Sequence, residues 1–340
     1  MADPLPSVQD IVYGFMPAQV LRVAAVLGIA DHLAGEPMTA AELAAATDTH
    51  TLSLRRLLRG LACLGVVDEI EPDRFALAPA GQQLRADAPG SIRAAVLLFT
   101  SDEVWRSWAE LEYSVRTGNI AWDQVVGTSV FEFMDRHPDQ SGTFNAAMAD
   151  RTRVVAPRIV ECYDFSRFGS VVDLGGGDGA MIAAILAAAP EVRGVLFDRP
   201  AGVTGAAEVL AAAGVADRCE IVAGDFFVAV PDGADAYVIK TVLHNWADEQ
   251  CVDILANCRK AMRHNGTLLV IERVMPERVA SGAATRAVFM DLNMLVHTPG
   301  RERTEAEYRA LYTAAGFELT EAVAATAEPV GYQVLVGRPV

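Results

Sequence analysis

His244, in the run Lys240-Thr241-Val242-Leu243-His244-Asn245-Trp246, is one of only six histidines in 340 residues. Imidazole titrates near neutral pH, so this side chain suits proton removal. A general base of that kind needs a carboxylate to fix its tautomer and stabilise its charged form. Two acids are candidates. Glu272 closes the apolar run 267–271, and Glu302 stands in Gly300-Arg301-Glu302-Arg303-Thr304. The plainer alternative is a hydrogen-bonded histidine that starts a helix.

A second group of residues reads as a ligand cradle. Val171-Val172-Asp173-Leu174 is apolar enough for a buried strand and runs into Gly175-Gly176-Gly177-Asp178-Gly179. Glycines there let the backbone turn sharply and approach a ligand with no Cβ in the way. Met181, Ile182, Ile185 and Leu186 follow at helical spacing, which aims a helix N-terminus at the same ligand. Asp198 closes the next apolar run, Val195-Leu196-Phe197, about 20 residues on, where such units deliver a carboxylate to a ribose diol. After a third run comes Gly224-Asp225-Phe226-Phe227, an acid able to accept from an adenine amine beside a ring able to cover a purine. Each polar residue alone has an ordinary capping reading. Agreement at five strand ends is hard to obtain by accident.

The elements that must position these groups alternate along the C-terminal half. Strands are expected at 171–174, 195–197, 220–223, 236–239, 267–271, 318–321 and 332–336, with helical patterns between most of them. That order predicts a parallel, doubly wound α/β sheet, whose ligands sit outside the carboxyl ends of the strands. Residues 8–33 are helical in pattern with an interruption at Pro17, and Thr39 and Glu42 have capping-box spacing. A helix at 52–64 carries Leu54, Leu57, Leu58 and Leu61 on one face, and Gly65 ends it. A hairpin at 66–77 turns around Pro72-Asp73. The outline is an all-helical winged-helix domain at the N-terminus, with the hairpin as its wing. Arg55, Arg56 and Arg59 lie on the would-be recognition helix, but the wing carries Asp68, Glu69, Glu71 and Asp73 against Arg74 alone. Those carboxylates would face phosphate, so packing or dimerisation is the better use, with the arginines as a solvated face. Residues 91–168 are mostly helical, broken near 118–127, and carry Phe131, Phe133, Met134, Phe144, Met148, Trp105, Trp108 and Trp122 as a core stripe.

Composition narrows the partners. The formal charge is −16, which repels nucleic acid and anionic membranes. The five cysteines are scattered without a C-x-x-C pair, and buried free thiols in a reducing cytoplasm are expected. Residues at the N-terminus lack the pattern of a signal peptide, and the apolar run 20–30 is too short to span a bilayer. A soluble, cytoplasmic protein with no acidic metal cluster is the expectation.

Taken as an ordered set, the motifs Asp173-Leu-Gly-Gly-Gly-Asp-Gly179, Phe197-Asp-Arg-Pro200, Gly224-Asp-Phe-Phe227, Leu243-His-Asn-Trp246 and Arg301-Glu-Arg-Thr304 are highly specific. The chain resembles the class I S-adenosylmethionine-dependent O-methyltransferases of the larger, metal-independent type. These include plant caffeate and flavonoid enzymes, hydroxyindole O-methyltransferase, and bacterial enzymes tailoring aromatic secondary metabolites. The resemblance covers almost the whole chain. It implies a winged-helix dimerisation domain (1–95), a helical linker contributing to the acceptor pocket (96–165) and a Rossmann-like cofactor-binding catalytic domain (166–340). It also implies a homodimer.

The resemblance assigns roles as well. Gly175, Gly176 and Gly177, with Asp173, approach the methionine part of S-adenosylmethionine, and Asp198, beside Arg199, binds the ribose. Gly224, Asp225 and Phe226 hold the adenine, with Lys240 close by. Thr152 matches a serine near the cofactor carboxylate. His244 corresponds to the catalytic base and Glu272 and Glu302 to the acids that position it. Phe144, Met148, Trp246, Met294 and His297 fall where the acceptor pocket is lined. Asn245 departs from the pattern, because the family commonly has His-Asp-Trp and so a carboxylate next to the base. Relatives exist that methylate nitrogen or have lost methyl transfer, but the two retained acids favour O-methylation of a phenolic hydroxyl.

Two rivals are set aside on residues. Gly175-x-Gly177-x-x-Ala180 also satisfies a dinucleotide fingerprint, but it lies mid-chain and is followed by the adenine-type Gly-Asp-Phe-Phe segment. A ligand-sensing DNA-binding regulator is disfavoured by the acidic wing.

Overall fold

The computed structural model describes residues 7–280, 286–327 and 331–340. The chain divides into two compact units, 1–105 with 142–150, and 106–141 with 151–340. Among the described residues no helix is long and apolar enough to cross a membrane.

In the first unit, helices Val8–Tyr13, Phe15–Val26 and Ile29–His32 are divided at Gly14 and Gly28. The interruption therefore does not fall at Pro17. That proline sits in the first turn of its helix, where a missing N–H costs nothing. Thr39 and Glu42 form the expected capping box at the start of Ala40–Ala46. Helix Thr51–Cys63 buries Leu54, Leu58 and Leu61. The hairpin is present as β2 (Val67–Glu71) and β3 (Arg74–Leu77), and β1 (Met38–Thr39) adds a third strand in the order β1-β3-β2. Two of the arginines of the preceding helix are not a free solvated face. Arg55 makes two 2.6 Å bonds to the Asp73 carboxylate, and Arg59 Nη2 lies 3.0 Å from Glu69 Oε1. The charges of Arg55 and Arg59 are thus answered by acids of the wing, while Arg56 is exposed as expected.

The second unit is built on β4 (Ser170–Leu174), β5 (Arg193–Asp198), β6 (Cys219–Ala223), β7 (Ala236–Lys240), β8 (Thr267–Met275), β9 (Arg303–Thr304), β10 (Phe317–Ala324) and β11 (Tyr332–Pro339). The path across the sheet is β10-β11-β8-β7-β4-β5-β6, with β9 paired to β8 off that path. Pairings among β4 to β8 are parallel, but β11 runs antiparallel to both β8 and β10. The expected parallel order therefore stops before the last two strands. Only residues 325–331 join β10 to β11, too few for a crossover, which needs a dozen or more.

Successive residues of one strand feed opposite cores. Val171, Val238, Leu269 and Ile271 pack with Met181, Ile185 and Leu186 on one face. Val172, Tyr237, Leu268 and Val270 pack with Ile254, Leu255 and Tyr312 on the other. This burial on both sides is why the strands read as continuous apolar runs. The stretch 118–127, expected as a break, holds the helix Ala121–Val126, flanked by left-handed Gly118 and Gly127. Trp122, Phe133 and Met134 are buried, in keeping with a core stripe. Of the cysteines only Cys251 and Cys258 are buried; Cys63 is exposed, contrary to expectation, and all five are unbridged.

Candidate active site

Register brings the chemistry to one rim. Leu174 pairs with Phe197 and Ile239, Asp198 with Ala223, and Lys240 with Ile271, so the carboxyl ends of β4 to β7 are level and β8 runs on past them to Met275. Past Leu174 the chain turns through Gly175 (φ +71°) and Gly177 (φ +60°). A Cβ on Gly176 would stand 2.5 Å from Asp173 Oδ2 and from Leu196 Cδ1. Gly175 N–H donates to the Phe197 carbonyl at 2.7 Å, and Gly177 N–H to Asp198 Oδ2 at 2.8 Å. The glycine turn and the second acid are thus one hydrogen-bonded unit. Burial raises the Asp198 carboxyl, opposed by the backbone donors of Gly177 and Arg199. Arg199 pairs with Asp135 at 3.0 Å and stands 5.2 Å over Phe131.

Asp225 accepts from Phe227 N–H at 2.9 Å, which shapes the turn after β6. A Cβ on Gly224 would strike the Phe197 ring, so only glycine fits there. Trp246 stacks on Phe131 at 5.1 Å and meets Phe227 edge-on at 4.8 Å and Phe226 at 6.1 Å. It therefore belongs to the aromatic cluster beside Asp225. Lys240 Nζ donates to Thr152 Oγ1 at 3.0 Å, joining two residues 88 positions apart that the sequence singled out separately.

His244 lies in the short turn Leu243–Asn245 and is buried. Its Nδ1 is 3.0 Å from Glu302 Oε1 and 3.9 Å from Glu272 Oε2. A carboxylate only accepts, so Nδ1 carries the proton and Nε2 keeps the basic lone pair. Glu272 also holds the turn itself, accepting from Val242 N–H at 3.0 Å and His244 N–H at 3.4 Å. Burial opposes the charged ring, but Glu272 and Glu302 outweigh it and raise His244 above its ordinary value. Burial likewise raises Glu272. The three ligand atoms lie within 4.8 Å of one another, a spacing a cation would accept. One Glu302 oxygen already takes the ring N–H, however, and Arg273 stands 4.0 Å from that oxygen, so the trio reads as a base with its acids. Asn245 Nδ2 reaches the Thr241 carbonyl at 3.5 Å, a contact that an aspartate could not donate.

Helix Arg286–His297 is tied to this centre, because Asp291 Oδ1 accepts from Glu302 N–H at 3.0 Å. Met294 and His297 on it are buried. His297 Nδ1 donates to the Asn293 carbonyl at 2.9 Å, its Nε2 has no partner, and burial pushes the ring down to about 4, so it stays neutral. Phe144 and Met148 lie in the segment 142–150 of the first unit.

The sequence reading missed three arginines. Arg303, fully buried, donates to the carbonyls of Leu243 at 3.0 Å and Trp246 at 2.8 Å and so clamps the turn that carries His244. Arg273 is buried beside Glu302, and burial lowers Arg151 near the same group. The signal was present in the sequence for two of them: each acid, Glu272 and Glu302, is followed directly by an arginine.

Asp173, fully buried with Oδ1 unpartnered, is raised from 3.8 to about 7 by burial, with Lys240 opposing. Its folded state holds a proton more tightly than the unfolded chain. It therefore favours folding at the acid end and loses that contribution as pH rises from 3.8 to about 7. In the ligand-free protein, melting temperature should fall across this window relative to Asp173→Asn. Parallel pH profiles of parent and variant would contradict the shift.

Comparison with known proteins shows the family. Residues 9–87 match the O-methyltransferase dimerisation domain, and residues 108–318 match the O-methyltransferase domain. O-demethylpuromycin-O-methyltransferase of Streptomyces alboniger is 43% identical over 313 residues, covering 91% of this chain and 83% of that one. Phenazine O-methyltransferase PhzM of Lysobacter antibioticus is 41% identical over 340 residues, covering 100% and 98%. The crystal structure of the O-methyltransferase NcsB1 from neocarzinostatin biosynthesis, in complex with S-adenosylmethionine and 2-hydroxy-5-methyl naphthoic acid, superposes with TM-score 0.79 at 33% identity, covering 95% and 96%. The chain belongs to the O-methyltransferase family and is an S-adenosylmethionine-dependent methyltransferase.

Proposed function

We propose that this protein methylates a phenolic hydroxyl of a small aromatic acceptor of the secondary-metabolite type, with His244 as general base. The observation that carries the reading is the 3.0 Å bond from His244 Nδ1 to Glu302, with Glu272 at 3.9 Å, which leaves Nε2 as the proton acceptor. Bound S-adenosylmethionine supplies an electrophilic methyl group. Gly175, Gly176, Gly177, Asp173 and Thr152 would receive its methionine part, Asp198 and Arg199 the ribose, and Gly224, Asp225 and Phe226 the adenine, with Lys240 nearby. The cradle suits it, since side chains at 176 and 224 would be excluded and a buried Asp173 oxygen lacks a partner. Nε2 of His244 takes the phenol proton, and both carboxylates stabilise the imidazolium that results. Trp246, Met294 and His297 would orient the acceptor. The relatives named above are an O-demethylpuromycin and a phenazine O-methyltransferase, and 2-hydroxy-5-methyl naphthoic acid is bound in the third, so planar phenols are the acceptors to expect. Two copies would pair through the first unit, which matches the dimerisation model.

The deciding experiment is a mass-spectrometric screen of phenols, hydroxynaphthoates and hydroxyphenazines with methyl-labelled cofactor. Label on oxygen supports the reading, and label on nitrogen alone, or none, overturns it. For the cofactor half, Asp198→Ala should weaken S-adenosylhomocysteine binding about tenfold by calorimetry. That is the loss expected for hydrogen bonds to a charged acceptor, and unchanged affinity would move the ribose elsewhere.

A further inference from the structure

Arg273 follows Glu272 on β8 and is 1% exposed, yet its Nε and Nη1 have no hydrogen-bond partner. A dry, unsatisfied guanidinium is costly to keep. Two neighbours hold it. Its Cζ stands 4.5 Å over the ring of Tyr332, its register partner across β8 and β11. Its Nη1 lies 4.0 Å from Glu302 Oε1, too far for a hydrogen bond but close for a charge in a buried setting. That oxygen is the one bonded to His244 Nδ1. Guanidinium and imidazole therefore share a single carboxylate oxygen.

This arrangement meets a difficulty built into the site. Two buried carboxylates around one imidazole draw it towards imidazolium, and an imidazolium cannot take a proton from the acceptor. We propose that Arg273 is a positioning residue for proton transfer: its permanent charge partly offsets Glu272 and Glu302 and so widens the pH range over which His244 is neutral and able to accept. The proposal rests on His244 being the base.

The other charged and titratable groups around the cluster do not supply this offset. Lys240 on β7 lies 5.8 Å over the same Tyr332 ring, but burial lowers it to about 8, so it can give up its charge. A guanidinium cannot. Arg151 feels Tyr332, Arg273, Arg286 and Glu302 but, among the described residues, forms no hydrogen bond or ion pair with either acid. Tyr308 and Tyr332 are buried phenols, raised by burial and so neutral. The Asp291 carboxylate accepts from the backbone N–H of Glu302, and Asp173 acts on Lys240. Where a shared proton sits among His244, Glu272 and Glu302 does not alter the sign, because a nearby positive charge makes every added proton less favourable. Arg273 accordingly pulls His244 down against the two acids.

The test reads protonation directly, with no acceptor and no turnover. The full-length protein, 15N-labelled at histidine and saturated with S-adenosylhomocysteine, is titrated by NMR, with the His244 signal identified by its loss in His244→Asn. Arg273→Met should raise the His244 midpoint by about one pH unit, the effect of a charge at this range, while Arg273→Lys stays near the parent. An unchanged midpoint in Arg273→Met, or an equal rise in Arg273→Lys, overturns the proposal. If the Met variant does not bind S-adenosylhomocysteine like the parent, Arg273→Gln is read in its place under the same criteria. Loss of the base role would appear separately, in the turnover of His244→Ala, and would leave the titration readable.

Discussion

His244→Ala should cut turnover by about 10²- to 10⁴-fold, the usual contribution of a positioned general base, and leave S-adenosylhomocysteine affinity nearly unchanged. The separation follows from the site. His244 is held by Glu302 and Glu272, whereas the glycine turn is organised by Asp198 and the Phe197 carbonyl. The two hydrogen-bonded groups share no side chain. Because the acids raise His244 above its ordinary 6.5, the fraction of neutral ring, and with it kcat/KM, should climb with pH through a midpoint above that value. That limb should vanish in the alanine variant. Turnover like that of the parent would remove His244 from the mechanism.

The second large effect needs no change to any polar side chain. Gly300 lies against the backbone of the His244 turn, and a Cβ there would fall well inside contact distance of the His244 carbonyl, with Trp246 N at 2.5 Å. Those atoms are backbone, in a turn held by Arg303 through the carbonyls of Leu243 and Trp246 and by Glu272 through the N–H of Val242, so they cannot yield cheaply. Gly300→Ala should therefore displace the imidazole by a fraction of an ångström or more. A shift near 1 Å costs about 100-fold in turnover. Overpacking of this kind costs about 1–3 kcal/mol, so the melting temperature should fall too. Cofactor affinity should hold, since Gly300 makes none of the contacts of the glycine turn. Parent-like kcat would show that the turn relaxes freely.

The sequence carried those parts of the structure whose cause is local. Apolar runs announced the strands, and Gly175, Gly177 and Asp198 announced the glycine turn and the second acid bonded to it, because turn and carboxylate come from adjacent strands of one βαβ unit. Thr39 and Glu42 announced their cap for the same reason. What was not legible depends on distant partners. β8 reads as ending at Ile271 because two charged residues follow, yet it continues to Met275. Glu272 and Arg273 stay buried there only because His244, Glu302 and Tyr332 arrive from three other segments. Arg55 and Arg59 looked solvated because their acids, Asp73 and Glu69, come from the wing. Pro17 looked like a break because its position within a turn is invisible until the helix start is known.

β11 has a consequence for biosynthesis. It is inserted between β8 and β10, so β10 has no sheet partner until residues 332–339 exist. A nascent chain halted before that point would present the open side of β8 to solvent, with Arg273 lacking the aromatic ring it rests on. Such an unpaired strand invites association with other chains. Closure of the catalytic half must therefore wait until these residues have left the ribosome, and stalled intermediates should be the species that chaperones capture.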